Sequence, residues 1–223
     1  MKTNSRTFLF DFDGTLVDSM PHFVGLMLRI LDENGIKYEK DIVKIITPLG
    51  YRGTAEYFQK LGIKDSVDEL IKKMQEYAKD AYANKIGAKA GVVETLYALK
   101  ETGYSLNVLT ASPHTALDPC LKRLGIFDIF DNVWSCEDFN TTKSNPEIYR
   151  LAAARLGKEV GEVIFVDDNV NAVRTAKKSG MISFGIYDES SDDSIDEMIE
   201  ASDCYIRDFD ELLKVASEAL NEN

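Results

Sequence analysis

Two aspartates interrupt an apolar segment near the N-terminus of the 223-residue chain. Asp11 and Asp13 alternate with phenylalanines in the run 8–17, and Gly14 follows them; such a run is typical of a buried strand in a parallel sheet. Residues i and i+2 of a strand point to the same face, so the two carboxylates are expected to lie side by side. Buried carboxylates are costly and repel each other, and a divalent cation would allow both to stay ionised. The alternative, an acidic surface loop, accounts for Asp13 but not for Asp11 between two phenylalanines.

A second apolar run, 163–166, also ends in two acids, Asp167 and Asp168. Open α/β sheets bind ligands beyond the carboxyl ends of their strands, which is where both acidic pairs are expected to lie. Mg²⁺ prefers hard oxygen ligands and keeps several waters, so it needs few protein carboxylates. The two pairs are therefore candidate ligands of a divalent cation.

A hydroxyl residue and a lysine stand at comparable places. Thr110 ends the apolar run 106–109, and Ser112 follows just before a predicted helix. Either hydroxyl could bind an anion beside the helix N-terminus, or could simply cap that helix, which is the better explanation on local grounds alone. Lys143 precedes another predicted helix and by itself would be a solvated charge.

The elements that must position these residues alternate regularly after residue 91. Apolar runs predict strands at 104–109, 133–135, 163–166 and 181–186. Helical patterns are predicted at 92–100, 113–124, 146–156, 172–178 and 209–220. This alternation indicates an α/β fold, a doubly wound parallel sheet with right-handed crossovers. The acidic stretch 187–194 is predicted to be a surface loop.

The stretch between the first strand and residue 82 contains amphipathic helical patterns and no convincing strand. We therefore expect an α/β core from 1–17 and 88–223, with a helical module, 18–87, inserted and 84–91 as the return linker. Within the insertion, 47–53 is predicted to be a turn-rich loop, and Ser66 with Glu69 forms a plausible capping box.

Composition excludes some classes of partner. The formal net charge is −12 and the pI about 4.7, which disfavours nucleic acid and anionic membranes as main partners. Three dispersed cysteines argue against a disulfide framework or a zinc site, and no apolar run approaches transmembrane length. We expect a cytoplasmic protein, with a monomer as the default.

The run 11–19, Asp-Phe-Asp-Gly-Thr-Leu-Val-Asp-Ser, resembles the nucleophile motif of the haloacid dehalogenase superfamily, D-x-D-G-T-hydrophobic-hydrophobic-D-S. Thr110, Lys143 and the acids at 167–168 are similar to that family's three further motifs, in the same order, so the resemblance extends from residue 8 to about 186. Ala111, Ser144 and Ala172 depart from the common patterns. The first motif looks most like phosphoglycolate phosphatase and its neighbours, which carry a Rossmann-like core and a small helical cap.

This resemblance implies a phosphatase that acts on a small phosphorylated metabolite with Mg²⁺ as cofactor. Asp11 would be the nucleophile that forms an aspartyl-phosphate, and Asp13 the general acid and base. Mg²⁺ would contact the Asp11 carboxylate, the Asp13 main-chain carbonyl and Asp168, with Asp167 as the second acid. Phosphate binding would fall to Thr110, Ala111 and Lys143.

Candidates for substrate selection in the insertion are His22, Gly50, Tyr51 and Arg52. For Arg52 an ordinary surface charge is the commoner role, and for His22 a structural one.

Three alternative functions are considered beside the phosphatase. A β-phosphoglucomutase-like enzyme would share all four motifs and the cap. A dehalogenase would not need Asp13 or the second acidic pair. A receiver-type binding module, phosphorylated on aspartate, would lack the D-x-D spacing and the insertion.

Overall fold

The structure is a computed structural model, and it describes residues 7–39, 41–46 and 49–221. Thr47 and Pro48, at the start of the predicted turn-rich loop, lie outside the described residues. No helix in the described part of the chain is long and apolar enough to cross a membrane.

Six parallel strands form one sheet in the order β3-β2-β1-β4-β5-β6. They are β1 (Thr7–Phe10), β2 (Ser105–Thr110), β3 (Asn132–Ser135), β4 (Val163–Asp167), β5 (Ile182–Ile186) and β6 (Cys204–Ile206). All neighbouring pairs are parallel, and this confirms the predicted doubly wound sheet. The strand order reverses between β1 and β4, and open sheets of this kind bind ligands at such a switch point.

Ten α-helices are described. They are α1 (Met20–Glu33), α2 (Ile42–Ile46), α3 (Gly50–Lys60), α4 (Val67–Asn84), α5 (Val92–Glu101), α6 (His114–Arg123), α7 (Glu147–Arg155), α8 (Val170–Ser179), α9 (Ile195–Ala201) and α10 (Phe209–Asn221). Short 3₁₀ segments cover Phe127–Ile129, Cys136–Phe139, Val160–Glu162 and Glu189–Ser194.

The central strand is buried on both faces, as its sequence predicts. Phe8 and Phe10 stack on one face, and the Phe10 ring also meets Phe209 of α10. Leu9 points to the other face and joins a buried cluster that contains Tyr149 of α7. Asp11, two residues beyond Leu9, continues toward this second face.

The chain divides into two compact units. One contains the described residues up to Asp18 together with those from Gly87 onward, and the other is Ser19–Ile86. Within the second unit the described regular elements are α1 to α4, whose fully buried residues include Ile30, Phe58 and Met74. The Ser66–Glu69 capping box is present at the start of α4, with both reciprocal hydrogen bonds.

Three local predictions need correction. Residues 50–53 belong to α3 rather than to a loop, because Thr54, Ala55 and Phe58 bury one helical face and the helix extends back over both glycines. The region 187–194 contains a 3₁₀ helix, Glu189–Ser194. The helix α9, of seven residues, and the strand β6, of three, were not predicted, because such short elements show no clear hydrophobic periodicity.

Candidate active site

Asp11 and the Asp167–Asp168 pair meet at the switch point of the sheet. The register of β1 against β4 pairs Phe10 with Val166, and the Asp11 amide donates to the Val166 carbonyl at 2.8 Å. The following acids are therefore neighbours, although more than 150 positions separate them in sequence. Ligand oxygens of Asp11, Asp167 and Asp168 all lie within 4.8 Å of one another, and all three residues are buried.

Lys143 neutralises part of this cluster. Its Nζ lies 2.6 Å from Asp11 Oδ1 and 2.8 Å from Asp167 Oδ2. Burial alone would disfavour the ammonium, but the charges of Asp11 and Asp167 outweigh it and raise the pKa of Lys143 well above its usual value. The lysine is therefore a fixed positive charge beside Asp11, rather than the solvated charge that its local sequence suggests.

Tyr149 anchors the segment before α7 that carries Lys143. The Tyr149 hydroxyl donates to the Lys143 carbonyl at 3.0 Å and to the Ala172 carbonyl at 3.1 Å. Its ring packs edge-on against Phe165 of β4 at 4.9 Å between centroids. The core thus anchors the backbone from which the ammonium reaches the carboxylates.

The cluster carries more negative charge than one lysine offsets. Burial, followed by the negative charge of Asp11, raises the pKa of Asp167, with Lys143 acting in the opposite direction. Burial and then the charges of Asp167 and Asp11 raise the pKa of Asp168 well above its usual value. Three buried carboxylates against one ammonium form a site that favours a further cation.

The surroundings of Asp11 Oδ1 indicate whether a metal ion fits the three clustered carboxylates. This oxygen is buried and within ion-pair distance of Lys143, yet it accepts no hydrogen bond of good geometry among the described residues. A buried oxygen in this condition is a candidate ligand, and carboxylate oxygens are the donors that Mg²⁺ prefers. Asp11, Asp167 and Asp168 therefore fit a divalent cation.

Gly14 and Thr15 fix the position of the Asp168 carboxylate. The Thr15 hydroxyl donates to Asp168 Oδ1 at 2.8 Å and accepts from the Asp168 amide at 3.1 Å. Gly14 has φ +78°, and a Cβ there would lie 2.4 Å from Asp168 Oδ2. Sequence patterns assigned Thr15 no role, although its place directly after Asp-x-Asp-Gly in the motif was the available signal.

The Asp13 side chain accepts a hydrogen bond from the loop that follows β2. The Ser112 hydroxyl donates to Asp13 Oδ2 at 2.5 Å, and the Ser112 amide donates to the hydroxyl of Thr110 at 3.0 Å. Pro113 is the N-cap of α6 and makes no side-chain cap bond. Thr110 lies buried at the end of β2, with Ala111 exposed beside it.

The four residues suggested for substrate selection all lie in the helical unit. His22 is part of α1, and Gly50, Tyr51 and Arg52 open α3. Within this unit Arg52 pairs with Asp68 at 3.6 Å, both side chains being exposed. The Tyr51 ring lies 6.3 Å from that of Phe23, centroid to centroid. Their part in selection stays a prediction.

Comparison with known proteins agrees with this geometry. The family model described as haloacid dehalogenase-like hydrolase matches residues 8–186. The chain is 32% identical to the pyrophosphatase PpaX of Bacillus velezensis over 80% of this chain and 81% of that protein. It is 27% identical to the phosphorylated carbohydrates phosphatase of Thermotoga maritima, over 95% of this chain and 98% of that protein.

A solved structure shows the same fold over nearly the whole chain. The HAD family hydrolase from Deinococcus radiodurans, crystallised with bound phosphate and sodium, superposes with a TM-score of 0.78. The alignment covers 98% of this chain and 97% of that one at 20% identity.

Proposed function

The chain belongs to the haloacid dehalogenase-like hydrolase family, and on this basis we propose that it is a Mg²⁺-dependent phosphatase of small phosphate monoesters. One observation carries the proposal most directly. Asp11 lies at the switch point with its buried Oδ1 only 2.6 Å from the Lys143 ammonium, beside two further buried carboxylates. A nucleophile, a positive charge and a candidate metal site are thus combined in one place.

The proposed reaction begins at the Asp11 carboxylate. One of its oxygens forms a bond to phosphorus, the bond from phosphorus to the ester oxygen breaks, and an aspartyl-phosphate results. Lys143, 2.6 Å from Asp11, offsets the negative charge of the nucleophile and of the transferring group. The Thr110 hydroxyl and the main chain at Ala111 are proposed to bind the phosphoryl oxygens.

Asp13 is proposed to transfer the proton. In the first step its carboxylic acid protonates the departing ester oxygen; in the second, its carboxylate takes a proton from water. That water attacks the phosphorus, and the Asp11–phosphorus bond breaks to release inorganic phosphate. The hydrogen bond from Ser112 fixes the Asp13 side chain for this role.

Asp11, Asp167 and Asp168 would hold Mg²⁺, with the Asp13 main-chain carbonyl as the further ligand that the family resemblance implies. When bound, the ion supplies charge stabilisation for the phosphoryl group and keeps the clustered carboxylates ionised. Phosphoryl transfer depends mainly on positioning and electrostatics, so this small set of groups can suffice.

Substrate choice is proposed to reside in the helical unit, with His22, Gly50, Tyr51 and Arg52 as its candidates. Since the two relatives are named as a pyrophosphatase and as a phosphatase of phosphorylated carbohydrates, a small phosphorylated metabolite is the proposed substrate class. A protein of net charge −12 repels an anionic substrate unless cations offset that charge locally, as Lys143 does at the site. A cytoplasmic monomer is proposed as the working form.

A panel of phosphate esters tests the proposal. Purified protein is assayed for phosphate release with and without Mg²⁺, using p-nitrophenyl phosphate, phosphoglycolate, sugar phosphates, nucleotides and pyrophosphate. Mg²⁺-dependent turnover of at least one compound is expected. No release from any of them would refute the function, whereas isomerisation of a sugar phosphate without net release would favour the phosphomutase alternative.

A further inference from the structure

A second lysine, Lys89, is largely buried at the same end of the sheet. Sequence patterns place it only in the return linker 84–91. Its Nζ donates to the Gly14 carbonyl at 2.7 Å, to the Tyr187 carbonyl at 2.8 Å and to Asp188 Oδ2 at 2.8 Å. The side chain is 19% exposed and that of Asp188 5%, so this is not a solvated surface pair.

The backbone of Lys89 contacts the same loop that its side chain reaches. Its amide donates to the Leu16 carbonyl at 3.0 Å, and the preceding residue, Ala88, forms an antiparallel bridge with Val17. Lys89 therefore holds the segment 14–17 at two carbonyls, one through its backbone and one through its side chain. The side chain also joins this segment to the stretch that follows β5.

Gly14 links Lys89 to the clustered carboxylates, because it packs directly against Asp168. There is no room for even one carbon atom between Gly14 and the Asp168 carboxylate, as the 2.4 Å approach of a Cβ shows. The neighbouring residues on either side are Asp13 and Thr15, which carries the hydrogen bonds to Asp168. A shift of the Gly14 carbonyl would thus move both the proposed acid and a proposed metal ligand.

We propose that Lys89 is a positioning residue, which anchors the segment 13–16 to the chain after β5 and so sets the positions of Asp13 and Asp168. Its effect on catalysis rests on the proposed phosphatase function, whereas the anchoring itself does not. Loss of the ammonium would leave the Gly14 and Tyr187 carbonyls without that donor and Asp188 without its cation. Buried groups left in this way favour local rearrangement.

The test compares Lys89→Met with Lys177→Met in the full-length protein. Lys177 is a control with similar contacts and greater exposure, 44% against 19%. Its Nζ also joins a main-chain carbonyl, that of Ser202 at 3.1 Å, and a carboxylate, Asp203 Oδ1 at 2.9 Å. Both variants are measured for kcat and KM on p-nitrophenyl phosphate with saturating Mg²⁺. Amide hydrogen exchange of a peptide that covers 8–17 is followed in the metal-free proteins, with thermal unfolding as a check on folding.

For Lys89→Met we expect kcat to fall at least about tenfold, because small displacements of catalytic groups are costly. Exchange of the 8–17 peptide should become faster, while a peptide from α5 (Val92–Glu101) exchanges as in the parent protein. Lys177→Met should retain kcat within about twofold and leave exchange of 8–17 unchanged. An unchanged kcat in folded Lys89→Met, or a lower kcat without faster exchange of 8–17, would overturn the proposal.

A second variant covers the case in which Lys89→Met does not fold. Lys89→Arg keeps the charge, but a planar guanidinium cannot direct its donors to three acceptors arranged around a single nitrogen. A lower kcat and faster exchange of the 8–17 peptide are again expected, both smaller than in Lys89→Met. Parent-like values for both would overturn the proposal. If the parent protein lacks phosphatase activity, the proposed function fails, and the exchange data alone decide whether Lys89 anchors the loop.

Discussion

Thr15 and Asp168 form a reciprocal hydrogen-bonded pair between the first motif of the chain and the last. The Thr15 hydroxyl donates to the Asp168 carboxylate at 2.8 Å and accepts from the Asp168 amide at 3.1 Å. Both groups are buried, so neither hydrogen bond is exchanged freely with water. The pair orients a carboxylate that the proposed mechanism assigns to Mg²⁺.

Replacement of Thr15 by valine is therefore expected to weaken Mg²⁺ binding. Valine keeps the shape but removes the donor, and loss of a buried hydrogen bond costs about 1–3 kcal/mol. The Mg²⁺ concentration for half-maximal activity should rise roughly tenfold, which corresponds to about 1.4 kcal/mol. Thr15→Ser, which keeps the hydroxyl, is the control, and equal Mg²⁺ requirements in the two variants would argue against this role.

Asp11→Asn should abolish turnover and leave the fold intact. The amide is a poor nucleophile, and removal of a catalytic nucleophile costs ~10³-fold or more. Unfolding should not become easier, because the change also removes one of three mutually repelling carboxylates. Asp18→Asn alters an exposed acid of the same motif and serves as the control. Substantial activity in Asp11→Asn would remove Asp11 as the nucleophile.

Asp13→Asn should slow both proton transfers and allow the aspartyl-phosphate to accumulate. The amide cannot act as acid or base, and such groups contribute about 10²–10⁴-fold. Intact-mass measurement after mixing with substrate should show a phosphorylated protein, with the added mass on Asp11 in peptide maps. A rate equal to that of the parent protein would dismiss the acid–base role.

Gly14→Ala should destabilise the protein more than Gly103→Ala. Both glycines have positive φ, +78° and +87°, so each substitution carries backbone strain of about 1–2 kcal/mol. Only at Gly14 does the new Cβ also collide with a side chain, that of Asp168, whereas Gly103 faces open space. Urea unfolding measures the difference, and equal losses of stability would show that the Asp168 contact relaxes without cost.

His114 should make stability depend on pH. Its ring nitrogens lie 2.8 Å from Asp118 Oδ1 and 2.9 Å from Asp138 Oδ2. The hydrogen bond to Asp118 is the main cause of a raised His114 pKa, with burial opposing it and Asp138 adding to the increase. Because the folded pKa exceeds the unfolded value of about 6.5, the stabilisation is fully present below that pH. It is lost as the pH rises through the raised folded pKa.

The measurement for this prediction is the free energy of unfolding of the parent protein and of His114→Gln between pH 5 and 9. The parent protein should be the more stable at the acidic end, and the difference should shrink toward the alkaline end. Since the ring is 39% exposed, solvent screening keeps the effect modest. The same comparison in an Asp118→Asn background should give a smaller difference, and a difference that grows with pH would contradict the assignment.

Much of the fold was predictable because buried parallel strands and the helices between them have clear patterns of apolar residues. The strands that end at Thr110 and Asp167, and the strand that ends just before Asp11, were all predicted, and with them the expectation that these residues lie at one edge of a sheet. The short strand Cys204–Ile206 was not, since its position depends on pairing with β5. The start of α3 was missed because two glycines outweighed the apolar face beyond them.

The sequence by itself indicated which carboxylates gather at the candidate site, because carboxylates within apolar runs are too costly to occur there without a partner. Only the tertiary structure decided which group meets which. The register of β1 against β4 brings Asp11 beside Asp167, and chain segments far apart in sequence supply Lys143, Thr15 and Ser112 as partners. Lys89 is the extreme case, since nothing in its local sequence indicates the three acceptors that surround it. Such contacts depend on the path of the whole chain, and no local pattern encodes them.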